Sequence, residues 1–284
     1  MNIDIDHLKQ WIGKTESYRD IVGATPIRAL SATLDREDID PKKGDALPAG
    51  WHWLYFLPLP RHSEIGPDGH PLRGGFLPPV SLPRRMWAGS QLEFIRPLQV
   101  GDAITKSSQV EDVRLKVGRT GPLVFVRVRH ETSNVAGVAV VEVQSIVYRD
   151  HPTSGEKASA PKPPSVDHEW VREIRPDEVL LFRYSALTFN SHRIHYDREY
   201  ATHVEGYSGL VVHGPLVATM LLDLLWREFP QARLRRFEFR ALSPLFDTDP
   251  FFVCGRRNDG GHTISLWAKS HDGHIAMEAI ATLA

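Results

Sequence analysis

Two periodicities divide this chain. From residue 88 to 148 and again from 234 to 283, apolar side chains recur at every second position in short runs broken by Gly, Asn and Asp, which predicts strands with one buried face. In the first half the runs are 92–95, 103–116, 123–131 and 138–148, with turns at Gly118-Arg-Thr-Gly121 and Asn134-Val-Ala-Gly137. In the second half they are 234–240, 250–257, 263–269 and 275–283, with turns at Asn258-Asp-Gly-Gly261 and Asp272-Gly273. Connections this short join antiparallel hairpins, because a parallel crossover needs a dozen residues or more. Between the two sets the period changes to that of a helix. Pro215 suits a helix start because it needs no backbone acceptor there, and Leu216, Val217, Met220, Leu221, Leu224 and Leu225 then mark one long helix seeking a core. Residues 1 to about 25 also read as a helix, on the spacing of Ile5, Leu8, Trp11 and Ile12.

The strand runs repeat, and so does their lead-in: Leu92-Glu-Phe-Ile-Arg-Pro-Leu-Gln-Val-Gly-Asp102 beside Phe237-Glu-Phe-Arg-Ala-Leu-Ser-Pro-Leu-Phe-Asp247. Two copies of a unit made of one buried helix and a long antiparallel sheet imply an α+β duplication. The Pro-, Ser- and Lys-rich stretch 150–166 reads as a linker between an N-terminal domain, 1–149, and a C-terminal domain, 167–284. Residues 58–83, rich in Pro and Gly, cannot form regular helix or central strand. The copies differ in chemistry. Only the second carries the polar knot Asn190-Ser-His-Arg-Ile-His195-Tyr-Asp197 and, eighteen residues after His195, Val211-Val-His-Gly-Pro215.

Composition narrows the setting. A chain of 284 residues, 42% hydrophobic and 24% charged, is globular and long enough for two ordinary domains. A formal net charge of −1 gives no general attraction to nucleic acid or acidic membranes. The single cysteine, Cys254, excludes an internal disulfide framework. An acidic N-terminus and the lack of an eighteen-residue apolar run make a cytoplasmic protein the expectation.

A helix start leaves N–H groups unpaired and carries partial positive charge, so His213-Gly214 sits where a developing oxyanion can be held. The knot and the helix start read as two walls of one site. Asn190 admits a second reading, since Asn commonly satisfies backbone groups in turns. His192, His195, His203 and His213 fit no compact zinc spacing and lack a completing Cys or carboxylate, so no metal is expected.

The order of polar knot, Val-His-Gly, apolar helix, Phe-Glu-Phe strand and hairpins resembles the MaoC-like (R)-specific enoyl-thioester hydratases and dehydratases. The resemblance implies a double hot-dog fold, with each sheet wrapped around a long helix. Phe182-Arg-Tyr-Ser-Ala-Leu-Thr-Phe-Asn-Ser-His-Arg-Ile-His-Tyr-Asp197 and Val117-Gly-Arg-Thr-Gly-Pro-Leu-Val-Phe-Val126 look like the branch of mesaconyl-C4-CoA and itaconyl-CoA hydratases. It implies reversible, cofactor-free hydration of an α,β-unsaturated acyl-CoA, with CoA belonging to the substrate, and association as a homodimer. The family signature Asp-x-Asn-Pro-(Ile/Leu)-His falls on 190–195, where Asn190 replaces Asp and Arg193 replaces Pro.

That departure shapes the expected roles. Imidazole can do acid and base work near neutrality whereas an amide only orients water, so His195 is the expected acid/base and Asn190 the water-positioning group. The Gly214 N–H would polarise the thioester carbonyl. Arg193 is the candidate for the free carboxylate of a C5-dicarboxyl thioester, with a surface salt bridge as the other reading. Arg183, His213, Tyr196 and Asp197 complete the candidate substrate-binding set. Lys116 and Arg119 are candidates for the CoA phosphates, with solvated turn charges as the alternative. Two other functions compete: a hot-dog thioesterase, which would want a pocket carboxylate, and a non-catalytic acyl-CoA-binding subunit, for which Asn190 would mark lost chemistry.

Overall fold

The computed structural model describes residues 3–38, 40–118, 121–150 and 167–284. The expected linker therefore lies, apart from Asp150, outside the described residues. The first half runs α1 (Ile5–Lys9), β1 (Thr15–Ile21), α2 (Ala24–Thr33), β2 (Arg84–Phe94), β3 (Ala103–Gly118), β4 (Gly121–Asn134) and β5 (Gly137–Arg149). The second runs β6 (Trp170–Ile174), α3 (Glu178–Thr188), α4 (Gly214–Glu228), β7 (Leu234–Ala241), β8 (Phe251–Arg257), β9 (Thr263–Ser270) and β10 (Ile275–Leu283).

Among the described residues ten strands form one antiparallel sheet in the order β1-β3-β4-β5-β2-β7-β10-β9-β8-β6. The order is a palindrome of the duplication: β1, β3, β4, β5 and β2 correspond to β6, β8, β9, β10 and β7. The halves meet where β2 pairs β7, from Gly89 opposite Arg240 to Glu93 opposite Arg236. These strands belong to the Phe-Glu-Phe and Leu-Glu-Phe lead-ins whose likeness announced the repeat.

Helix α4 is wrapped by the second half of the sheet, packing on β6, β8, β9 and β10. Every residue from Leu216 to Leu225 is buried, so the helix is apolar nearly all round, as a fully enclosed helix must be. Its core also takes in Trp51, Leu54 and Leu92 from the first half. The exception is Asp223, which accepts bonds from Arg36 at 2.6 Å, Arg172 at 2.6 Å and Arg227 at 2.9 Å. Each arginine comes from a different element, so this carboxylate ties α4 to the segment after α2, to β6 and to its own last turn.

Two expectations are corrected. Between Ile3 and Gly23 only Ile5–Lys9 is helical; Thr15–Ile21 is an edge strand held by β3 from Thr15 opposite Gln109 to Ile21 opposite Ala103. Cross-strand pairing overrides the weak helical spacing there, and Ile12 is left 44% exposed. The two long helices are also unequal. The longest described helix of the first half, α2, has 10 residues against 15 in α4, and the apolar run at 51–57 begins as a short 3-10 turn, Trp51–Leu54.

Candidate active site

Helix α3 ends at Phe189 in a left-handed conformation, φ 49°, which swings the chain out of the helix into the knot. Asn190 N–H donates back to the Ser185 carbonyl at 2.8 Å, and Asn190 Oδ1 accepts the His192 N–H at 3.0 Å. Its carbonyl oxygen thus shapes a turn, the second of the two readings its sequence allowed. The knot then forms a single 3-10 turn, Arg193–His195. At three residues per turn Arg193 and Tyr196 share one side while His195 points to another. That geometry separates the inside of the knot from its outside.

His195 points inward. Its Nδ1 lies 2.7 Å from the Val211 carbonyl, which accepts only, so Nδ1 carries the proton and Nε2 presents a bare lone pair. The ring stacks on His213 with centroids 3.6 Å apart and 17° between planes. His213 is fully buried at the start of α4, and its Nε2 lies 2.8 Å from Ser185 Oγ of α3. Burial lowers the His195 pKa to about 4, outweighing the bond to Val211, which favours the cation; burial also holds His213 well below the ordinary value. Both rings are neutral at pH 7. Gly214 opens α4, so its N–H belongs to the first turn, whose N–H groups have no acceptor within the helix. A Cβ on Gly214 would meet nothing nearer than the Trp87 carbonyl at 4.0 Å, so the space beside its Cα is open.

The outer face of the knot is occupied differently from expectation. Arg193 donates to Asp197 Oδ2 from Nε at 3.0 Å and Nη2 at 2.7 Å, and to the Pro67 carbonyl from Nη1 at 3.0 Å. Its guanidinium also lies 4.2 Å from the Tyr200 ring centre. The structure thus pairs Arg193 with Asp197, the salt-bridge reading that the sequence also allowed for Arg193. Tyr196 donates outward to the Ser191 carbonyl at 3.1 Å, and Arg183 is exposed on α3; neither side chain joins His195. His203 pairs at the surface with Glu199 at 2.9 Å. Lys116 lies over the Phe125 ring at 5.1 Å, and Arg119 is outside the described residues.

Sequence reasoning missed what the first half contributes. The turn Pro67-Asp-Gly-His70 docks on the knot: Arg193 N–H donates to the Asp68 carbonyl at 2.9 Å, and Ser191 Oγ to the Gly69 carbonyl at 2.6 Å. Gly69 is required here. Its φ is +88°, and a Cβ would sit 1.8 Å from the Ser191 carbonyl oxygen. His70 then lies against His192 with centroids 3.9 Å apart, and His192 stands edge-on to His195 at 5.4 Å. Donor atoms of Asp68, His70 and His192 lie within 4.8 Å of one another, a spacing one cation could bridge. Arg85, whose positive charge acts on both imidazoles, makes the cluster better suited to hydrogen-bonded acid–base chemistry than to a cation. A Gly-flanked Asp and His in a Pro-rich loop was the available signal.

A family model of hydroxyacyl-thioester dehydratase type 2 matches residues 50–247, and a mesaconyl-C(4)-CoA hydratase of Chloroflexus aurantiacus is 44% identical over 276 residues, 96% of each chain. The chain belongs to the hydroxyacyl-thioester dehydratase type 2 family. This dehydratase is a hydro-lyase that adds water to, or removes it from, an acyl-CoA thioester, which sets aside the thioesterase and binding-subunit readings. Its fold is that of the MaoC-like proteins: a MaoC-like dehydratase from Phytophthora capsici superposes with TM-score 0.70 at 16% identity over 99% of both chains. A Mycobacterium tuberculosis protein with a double hotdog fold superposes with TM-score 0.58 at 14% identity over 96% of both. The double hot-dog expected from the sequence is therefore the fold of this dehydratase. Among the described residues no helix is long and apolar enough to cross a membrane.

Proposed function

We propose that the protein reversibly hydrates a C5-dicarboxyl enoyl-CoA, mesaconyl-C4-CoA or itaconyl-CoA, with His195 as the acid/base. The observation that carries this reading is the 2.7 Å bond from His195 Nδ1 to the Val211 carbonyl, which leaves Nε2 bare beside the start of α4. Nε2 takes a proton from the attacking water and returns it to the α-carbon, while the Gly214 N–H polarises the thioester carbonyl as enolate charge develops. The similarity to a mesaconyl-C(4)-CoA hydratase supports the dicarboxyl substrate. Arg85 is the guanidinium for its free carboxylate. It is half-buried on β2, opposite Tyr148, on the strand whose Trp87 carbonyl approaches Gly214, and its charge acts on His70 and His192. The reaction needs no cofactor, because base, oxyanion donor and water account for every bond made and broken. A homodimer is the proposed assembly, checked by light scattering on the purified chain.

The deciding experiment follows loss of the conjugated enoyl-thioester absorbance with mesaconyl-C4-CoA, itaconyl-CoA and crotonyl-CoA, with free thiol assayed on the same samples. Loss of conjugation without thiol release, abolished by His195→Ala and unchanged by chelators, is expected. Full hydratase rate in His195→Ala would sink the assignment of His195.

A further inference from the structure

The site holds a second imidazole whose free nitrogen is fixed by a hydrogen bond on the other, and it comes from the first half of the chain. The Asp68 carboxylate accepts the His70 backbone N–H on Oδ1 at 2.9 Å and lies 3.1 Å from His70 Nδ1 on Oδ2. Burial alone would raise the Asp68 pKa, but the side-chain and backbone bonds from His70 overcome it and hold the carboxyl well below the usual range. An ionised carboxylate only accepts, so His70 Nδ1 carries its proton and Nε2 is bare, the same tautomer as His195. The turn that carries the pair is closed by Gly66 N–H to the His70 carbonyl at 2.7 Å and by the Ile65–Pro71 bridge. It is pinned to the knot through Ser191 and Arg193, so the His70 position is built by both halves.

Hydration requires the attacking water to be held in one orientation, with both hydrogens accepted. The residue at the family's carboxylate position is Asn190, whose Oδ1 already accepts the His192 N–H. The carboxylate missing there is present across the knot, joined to an imidazole.

We propose that the Asp68–His70 pair is the second arm of the active site, with His70 Nε2 as the other acceptor for the attacking water and Asp68 fixing its tautomer. The inference rests on the hydratase reading above. The water oxygen bonds to the β-carbon as the π pair moves toward the α-carbon and the thioester carbonyl. One water proton passes to His195 Nε2 and from there to the α-carbon. The other remains on the new hydroxyl, hydrogen-bonded to His70 Nε2, so no proton is gained or lost. His70 is then a catalytic residue and Asp68 a positioning residue. The arrangement also explains why the first half is retained beside a second half that carries the knot: it supplies one wall of the site.

The test compares full-length wild type with His70→Ala and Asp68→Asn in the absorbance assay. Removing a positioned acceptor should lower kcat roughly 100-fold in His70→Ala with KM within about threefold, and added imidazole should restore part of the lost rate. Asp68→Asn tests the pair without emptying the site. The charged and titratable groups facing His70 are Asp68 and Arg73 from its own loop, Arg85 from β2, and His192 and His195 from the knot. Asp68 is the one that stabilises the His70 imidazolium, so its loss should also move the titration of His70 itself, followed by NMR of the ring, to lower pH. Half or more of wild-type kcat in both folded variants, an unmoved His70 titration in Asp68→Asn, or activity lost to chelators and returned by zinc overturns the proposal. Failure of the wild type on every enoyl thioester would instead overturn the hydratase reading beneath it.

Discussion

His195 and His213 lie face to face with ring centroids 3.6 Å apart, one held by the Val211 carbonyl and the other by Ser185 Oγ. Two stacked imidazoles cannot both be cations at that distance, and burial keeps each neutral. The base form of His195, with its pKa near 4, is therefore populated across the neutral range. The acid limb of kcat/KM assigned to His195 should fall near pH 4 rather than near the ordinary imidazole value of 6.5, as measured by rate profiles from pH 3.5 to 9. An acid limb near 6.5 would assign the rate to a different group.

Removing Ser185 Oγ tests the stack from its far side. Ser185→Ala leaves His213 Nε2 without its partner in the interior, and a lost buried hydrogen bond costs about 1–2 kcal/mol. The expected result is a matching fall in unfolding free energy by denaturant titration, with kcat reduced roughly tenfold as His195 loses the surface that orients it.

The same buried histidines make the fold acid-labile. His192 has its pKa lowered to about 2, by burial first and then by His70, and His195 to about 4 by burial. A histidine with a depressed folded pKa binds more protons unfolded than folded between the two values, so stability rises with pH there. The contribution is fully present above about pH 6.5 and lost as pH falls through the folded pKa; for His195 alone it is about 3 kcal/mol. Thermal unfolding should fall steeply from pH 6.5 to 4, and less steeply in His195→Asn. Equal slopes would show that these groups do not set the acid stability.

Arg85 and Arg193 give opposite predictions for selectivity. Arg193 is held by Asp197 and the Pro67 carbonyl, so Arg193→Ala should change kcat/KM by similar factors on mesaconyl-C4-CoA and crotonyl-CoA. Arg85→Ala should lose roughly 30-fold or more on the dicarboxyl substrate relative to crotonyl-CoA, the value of a charge-assisted bond. Equal losses on both substrates in Arg85→Ala would remove Arg85 as the carboxylate receptor.

The contrast between these arginines marks what was legible in the sequence. Strands β3 to β5 and β7 to β10, the end of β2, the helix α4 and the duplication were readable because each rests on local periodicity and short turns. His195, His213 and Gly214 were readable because the knot and the helix start are contiguous motifs. The Asp68–His70 contribution was not, because it depends on a tertiary approach set by Gly69 across more than a hundred residues of chain. Arg193 stayed open between two readings for a related reason: an i,i+4 partner such as Asp197 is visible in sequence, but whether the pair closes depends on the 3-10 turn between them. Strand β1 was lost to a helical spacing that β3 overrides, and β6 and α3 lacked turn signals strong enough to separate them from the stretch after the linker.

Asp223 gives the sharpest test of how the wrapped helix is held. Its side chain is 1% exposed and is shared by Arg36, Arg172 and Arg227. A carboxylate in the middle of an apolar helix would be costly alone, and three guanidinium partners at 2.6 to 2.9 Å supply the opposite charge that burial demands. Asp223→Ala removes the anion and leaves the cations facing one another at the edge of the core. The expected loss is about 3–5 kcal/mol, or roughly 10 °C in thermal midpoint for a chain of this size, with His195-dependent kinetics preserved in the folded fraction. Because the site lies at the N-terminus of α4, more than two turns before Asp223, a variant that kept its stability but lost its rate would show that the helix couples the two. A variant that lost stability alone would show that Asp223 anchors α4 and that the chemistry at its N-terminus is independent of that anchor.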